Sequence, residues 1–361
     1  MIPTEPIGSL PRPLELIAGL AEFNAGRMLP DELEVLYQRA VLDTLRRFEA
    51  SGSPVVTDGE QRKSHNFASY CVDGLPNFAH DGFRLQFVGH YRQWPRLTAG
   101  PFRFLRKGAQ FLEDARRLTR LPLKQAVISP SAVSLFYPGR ELDDYSRDAF
   151  IADLLDEHEA DLRGCLALGA ASVQIDFTEG RLAYKLDSTG GLLHSFVGLN
   201  NLALARFSAV ERQRIGVHTC PGGDRDSTHS ADVDYAELLP SLFELQAGRL
   251  FIALAREPDR VRVLKMISRL LRPGQQVFVG VIDPLNPHVE SPEEVRDRVL
   301  EAAEYLPPAQ LGSTDDCGFA PFSDDVSTSR DTAFAKIEAR VIGTRLAAER
   351  LSIKSMKAGG S

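Results

Sequence analysis

The chain has 361 residues, 43% of them apolar and 25% charged, with a formal net charge of −7 and four cysteines. That composition belongs to a folded globular protein. Its acidic balance speaks against a general nucleic-acid binder, and four cysteines in so long a chain do not make a disulfide framework. No apolar run approaches the ~20 residues of a membrane span, and the start Met1-Ile2-Pro3-Thr4-Glu5-Pro6 lacks a signal-peptide pattern. A cytoplasmic protein with reduced thiols is therefore expected, with small molecules rather than nucleic acid or membrane as its partners.

Short apolar runs alternate with long amphipathic stretches along the chain. The runs predict strands at Glu5–Gly8, Pro54–Thr57, Lys124–Ile128, Ser172–Ile175, Arg214–Val217, Leu250–Leu254, Gln276–Ile282 and Gln310–Ser313. Most are apolar on both faces, as strands of a buried parallel sheet are. Between them the pattern predicts helices over Pro30–Ala50, Asp144–Leu168, Leu192–Phe207, Tyr235–Leu245, Asp259–Leu271 and Pro292–Tyr305, with Asp31 and Ser291 as N-caps. Eight strands with helices after most of them fit a single (β/α)8 TIM barrel, which needs about 250 residues. The expected organisation is one catalytic barrel over residues 1–350 and a flexible tail at 351–361. Residues 61–122 read as an insertion after the second strand, a hairpin plus a helix. Its basic stretch (Arg103, Arg106, Lys107, Arg116, Arg117, Arg120) reads as a solvated helix face.

In such a barrel the chemistry sits at the C-terminal ends of the strands. Those ends carry Ile7-Gly8-Ser9-Leu10-Pro11-Arg12, Asp58-Gly59-Glu60, Ser129-Pro130-Ser131, Asp176-Phe177-Thr178, His218-Thr219-Cys220, Asp283-Pro284 and Asp315-Asp316-Cys317-Gly318. The sixth strand stays apolar until Arg256 and Glu257. His218 and Cys220 are two apart and share a face, while Cys317 leaves the eighth strand toward the same mouth. One imidazole and two thiolates suit a tetrahedral zinc site with a fourth position open. Cys165, among leucines on a helix, and Cys71 read as packed thiols. Asp58, Asp176 and Asp283 taken singly read as caps of the following helices. Glu60 and Asp176 together call for a cation between them, such as a substrate ammonium. His229 lies in a polar loop as a candidate proton-handling group.

Taken in order, these segments resemble the catalytic C-terminal barrel of the cobalamin-independent methionine synthase family, including its single-barrel members. The resemblance spans residues 7–318. It implies a zinc-dependent S-methyltransferase, with His218, Cys220 and Cys317 on zinc and the thiol of homocysteine as acceptor. Ile7, Gly8, Ser9, Arg12, Glu60 and Asp176 would hold the amino acid, Asp283 would join the catalytic set, and a methyl-tetrahydrofolate or a corrinoid would give the methyl group. The family's sixth-strand Glu ligand falls at or near Leu254 in this chain, which makes the nearby Glu257 the candidate for a fourth ligand. The alternative is a zinc-dependent thiol alkyltransferase or lyase of the epoxyalkane:coenzyme M transferase type. Oligomeric state is left open.

Overall fold

The computed structural model describes residues 2–358. Six parallel strands form its main sheet in the order Leu311–Asp315, Gln276–Ile282, Arg249–Ile252, Ile215–Thr219, Ser172–Asp176 and Lys124–Ile128. Most of their residues are buried on both faces because helices cover the outer face and the other face closes on itself. The strand bounds follow the apolar runs, and Lys124–Ile128 and Gln276–Ile282 begin and end where the sequence pattern does.

The first two predicted strands, Glu5–Gly8 and Pro54–Thr57, do not form regular ladders. They reduce to single parallel bridges, Thr4 with Ser313 and Val56 with Leu123, on the two outer strands of the sheet. Pro3, Pro6 and Pro54 explain this, since none has an N–H to give to a ladder. The two segments meet each other through Leu10 N to Gly59 O at 3.0 Å and Thr57 Oγ1 to Gly8 O at 3.0 Å. An eight-position α/β barrel results, with six regular strands and two irregular segments side by side.

The helices start where local chemistry dictates. Ser291 caps Pro292–Ala303, its hydroxyl accepting from Glu294 N while the Glu294 carboxylate accepts from Ser291 N. Helix Pro30–Ala50 has the expected bounds, but its N-cap is Leu29 and not Asp31. Pro30 is pre-set for the first helical position, Glu32 accepts from Leu29 N at 2.8 Å, and Asp31 lies in the first turn. The last helix, Arg330–Ala358, runs past the point where a flexible tail was expected to begin, and residues 359–361 lie outside the described residues.

The insertion contains the hairpin Arg84–Gln86 with Tyr91–Gln93 and the helix Gly108–Arg116. Phe102, Phe104, Phe111 and Trp94 form a second apolar core with Phe136 and Phe150 from the barrel side. The basic stretch is a solvated face, with Arg103 to Asp153 at 2.7 Å and Lys107 to Glu157 at 3.0 Å. Inside the barrel Ile7, Phe251 and Phe278 pack together, the two Phe rings 4.7 Å apart. Below them Lys124 Nζ donates to Pro6 O at 2.8 Å and lies 3.5 Å from Glu5, which also pairs with Arg249. This plug closes the barrel axis and gives the mouth a floor. Among the described residues no helix is long and apolar enough to cross a membrane.

Candidate active site

Three of the six regular strands deliver groups to the same mouth. The strand Ile215–Thr219 carries His218, and Cys220 follows it. Cys317 follows Leu311–Asp315, and Asp176 ends Ser172–Asp176. The ligand atoms of His218, Cys220 and Cys317 lie within 4.8 Å of one another. The two sulfurs are 3.2 Å apart, and Gly222 N donates to Cys220 Sγ at 3.3 Å. His218 is 1% exposed, yet neither of its ring nitrogens has a hydrogen-bond partner. A buried imidazole with no partner is costly unless something outside the protein completes it. A metal ion held by His218, Cys220 and Cys317 would complete it. The residues present fit a metal. The proton shared between the thiols sits unevenly, with Cys317 held well below the usual thiol range by the Cys220 S–H and Cys220 pushed up.

Glu257 does not join this trio. It pairs with Arg181 at 3.3 Å in a neighbouring cleft. Leu254, where the resemblance led to the expectation of a ligand, is buried, and its N–H donates to Asp316 Oδ1 at 2.7 Å. The Asp316 carboxylate also accepts from Ala255 N and Arg256 N, at 2.7 and 3.0 Å, so it fixes the end of the sixth strand next to Cys317.

The irregular segments supply the other wall. Glu60 has φ of 57°, a left-handed conformation rare for a residue with a side chain. That turn sends its carboxylate back over Gly8, where a Cβ would lie 2.5 Å from Glu60 Oε1. Gly8 therefore makes room for Glu60. Glu60 Oε2 is 3.1 Å from Lys63 Nζ, which itself donates to Ala126 O at 3.2 Å. The cation expected between Glu60 and Asp176 is thus partly built in, which the sequence reading did not anticipate. Asp176 accepts from Gln174 Nε2 at 2.6 Å, and burial together with the Glu60 charge raises its carboxyl to about 6.

Ile7, Ser9, Glu60, Asp176, His218 and Cys317 line one pocket. Gly8 and Cys220 are not among its lining residues, and two further expected members are elsewhere. Arg12 is buried with its guanidinium on Glu60 O at 3.0 Å and Lys63 O at 2.7 Å, so it braces the Glu60 turn and does not face the pocket. Asp283 accepts from Leu285 N at 3.0 Å and faces Arg256 at 3.5 Å, outside the pocket wall. His229 packs over Gly222 with Nδ1 2.6 Å from Ser230 Oγ, and burial lowers it to about 3, so it stays neutral. Phe67, Leu85, Phe87 and Phe322 complete the pocket, and no short motif announces them. Cys71 and Cys165 are buried away from it, as packed thiols.

Residues 2–330 match the family described as cobalamin-independent synthase, catalytic domain. A methionine synthase of Sulfolobus acidocaldarius is 24% identical over 98% of this chain and 94% of its own length. One from Saccharolobus solfataricus is 24% identical over 98% and 97%. Among solved structures, a B12-independent methionine synthase from Shewanella sp. W3-18-1, in complex with selenomethionine, shares the fold. Its TM-score is 0.77, with 20% identity over 98% of this chain and 99% of that one. A putative vitamin-B12-independent methionine synthase from Listeria monocytogenes aligns with a TM-score of 0.67 at 18% identity, over 97% and 98%.

Proposed function

Because the chain belongs to the family of cobalamin-independent synthase catalytic domains, we propose that it is a zinc-dependent methyltransferase acting on the thiol of homocysteine. The observation that carries this reading is one pocket lined by His218 and Cys317 against Glu60 and Asp176, with the Cys220 sulfur 3.2 Å from that of Cys317 and both ring nitrogens of His218 unpartnered. Zinc bound by His218, Cys220 and Cys317 would supply deprotonation of a coordinated thiol, which free in water has a pKa of about 8.5.

The chain's own residues do the rest. Glu60 and Asp176 take the substrate ammonium, and Ile7, Gly8 and Ser9 line the place of its backbone groups. Holding both ends of a short amino acid fixes its sulfur toward the donor, which is where an enzyme of this kind gains rate. The new S–C bond forms as the donor–carbon bond breaks, and the donor leaves with that electron pair. Phe67, Phe87 and Phe322 keep water out of the pocket. An anionic thiol such as coenzyme M is less well served, because the nearby guanidiniums are already engaged. Arg12 is on backbone carbonyls, and Arg62 pairs with Glu34 at 2.7 Å.

The test combines metal analysis with thiol discrimination. Purified protein should hold near-stoichiometric zinc, and it should bind homocysteine more tightly than the same thiol without its amino group. A charge-assisted hydrogen bond contributes roughly 1.5–3 kcal/mol, so Glu60→Gln should reduce that preference about 10- to 150-fold with zinc unchanged. Equal binding of both thiols by the unaltered protein would remove the amino-acid reading.

A further inference from the structure

Glu60 and a counter-ion for it stand on one turn. Lys63 N donates to Glu60 O at 3.1 Å, which closes the turn, and Glu60 N donates to Asp58 Oδ1 at 2.9 Å. The buried Arg12 guanidinium donates to Glu60 O at 3.0 Å and to Lys63 O at 2.7 Å, so it ties the two ends together. Gly59 and Glu60 are both left-handed, with φ of 68° and 57°. This backbone brings the Lys63 side chain back beside the carboxylate three residues earlier, with Nζ 3.1 Å from Glu60 Oε2. The ammonium has two further neighbours inside the protein, Ala126 O at 3.2 Å and the Tyr70 ring at 4.6 Å. Lys63 is 1% exposed and is not a wall residue of the pocket, whereas Glu60 and Asp176 are.

The buried charges around this turn nearly cancel. Asp58, Glu60 and Asp176 are negative and Arg12 and Lys63 positive, which leaves one negative charge for a ligand of the pocket to meet. An α-amino thiol brings one ammonium. Without Lys63, Glu60 Oε2 would be buried with no cation beside it, and an uncompensated buried charge is costly. Glu60 would then hold a proton or leave its place over Gly8, and either change takes a charge-assisted contact from the substrate. We propose that Lys63 is a positioning residue for amino-acid binding: as the built-in counter-ion of Glu60 it keeps that carboxylate charged and aimed at the substrate ammonium. This rests on the reading that the substrate is an amino-acid thiol. A lysine that only helped the fold would affect thiols with and without an amino group alike.

The experiment measures, by calorimetry on the full-length metal-loaded protein, the binding of homocysteine and of the same thiol without its amino group. Lys63→Met keeps the length of the side chain and removes its charge. It should cut the preference for homocysteine about 10- to 150-fold, as Glu60→Gln does, with metal content and binding of the des-amino thiol unchanged. In a Glu60→Gln background the same change should move the preference by less than about 2-fold, because the two residues act as one unit. That double variant removes both charges of the pair, so it supplies the measurement if Lys63→Met alone does not fold. A further loss of about 10-fold or more there overturns the proposal. Lys63→Arg, which keeps the charge, should retain more of the preference than Lys63→Met, and equal losses in the two overturn the counter-ion role. Weaker binding of both thiols by the same factor in Lys63→Met overturns it as well. The two readings fail differently. Equal binding of both thiols by the unaltered protein removes the amino-acid reading and the role of Lys63 with it, whereas a preference that survives Lys63→Met removes the role of Lys63 alone.

Discussion

The six regular strands and the two irregular segments divide the site between them. His218, Cys220, Cys317 and Asp176 stand on or directly after regular strands, whose ladders fix the direction of each side chain. Glu60, Gly8 and Ser9 stand on segments with one bridge apiece, where a left-handed residue and a glycine give a close approach that a ladder would forbid. Rigid strand ends suit metal ligands, which need fixed positions to within a fraction of an ångström. Irregular backbone suits recognition of a substrate backbone, since it can turn a carboxylate back over its neighbour. The same division predicts that damage on the two sides will have different signatures.

The largest effect belongs to the regular side. Cys220→Ser and Cys317→Ser should each lower bound metal from about one per chain to a small fraction, with activity falling by more than about 100-fold. The fold should survive, because neither thiol packs a core, and circular dichroism would show it. Full metal retention in both variants would end the metal assignment.

Next comes the irregular side. Gly8→Ala puts a methyl group 2.5 Å from Glu60 Oε1, so Glu60 must leave its position. Homocysteine binding should weaken about 10- to 150-fold while metal content stays the same. Metal loss in this variant would show that the two sides are not independent.

A smaller effect tests the support behind the regular strands. Glu179 is buried and accepts from Ser129 Oγ at 2.6 Å and from Ser131 Oγ. Burial holds its carboxyl up at about 7, above the ordinary 4.5, so the folded protein keeps this proton longer than the unfolded chain does. Its stabilising contribution is therefore complete below pH 4.5 and lost as pH rises through about 7. Glu179→Gln keeps the acceptor oxygen and removes the titration. Its melting temperature relative to the parent should rise between pH 5 and pH 8, by about 1–2 °C for each kcal/mol regained. A pH-independent difference would show that the carboxyl titrates normally.

The smallest effect is a control on the exposed face of the insertion. Arg117 pairs with Glu113 at 2.9 Å, both well exposed. Arg117→Ala should leave metal content and thiol binding unchanged and move the melting temperature by no more than about a degree.

The sequence by itself determined the barrel, because a strand buried on both faces must be apolar throughout and a covering helix must repeat at its own period. Those two periods gave Lys124–Ile128 and Gln276–Ile282 to the residue. It also determined that His218, Cys220 and Cys317 would meet, since strand ends of a closed parallel sheet share one mouth. Only the tertiary structure decided what depends on contacts between distant segments. It reduced the first two strands to bridges, engaged Arg12 on the Glu60 turn, and turned Glu257 to Arg181. It placed Lys63 beside Glu60 and brought His90 and Arg92 to Asp224, more than a hundred residues away. A charged residue in a sequence carries no mark of its partner. Which opposite charge it meets is settled by packing, where a buried ion must be paired or it will not be buried at all.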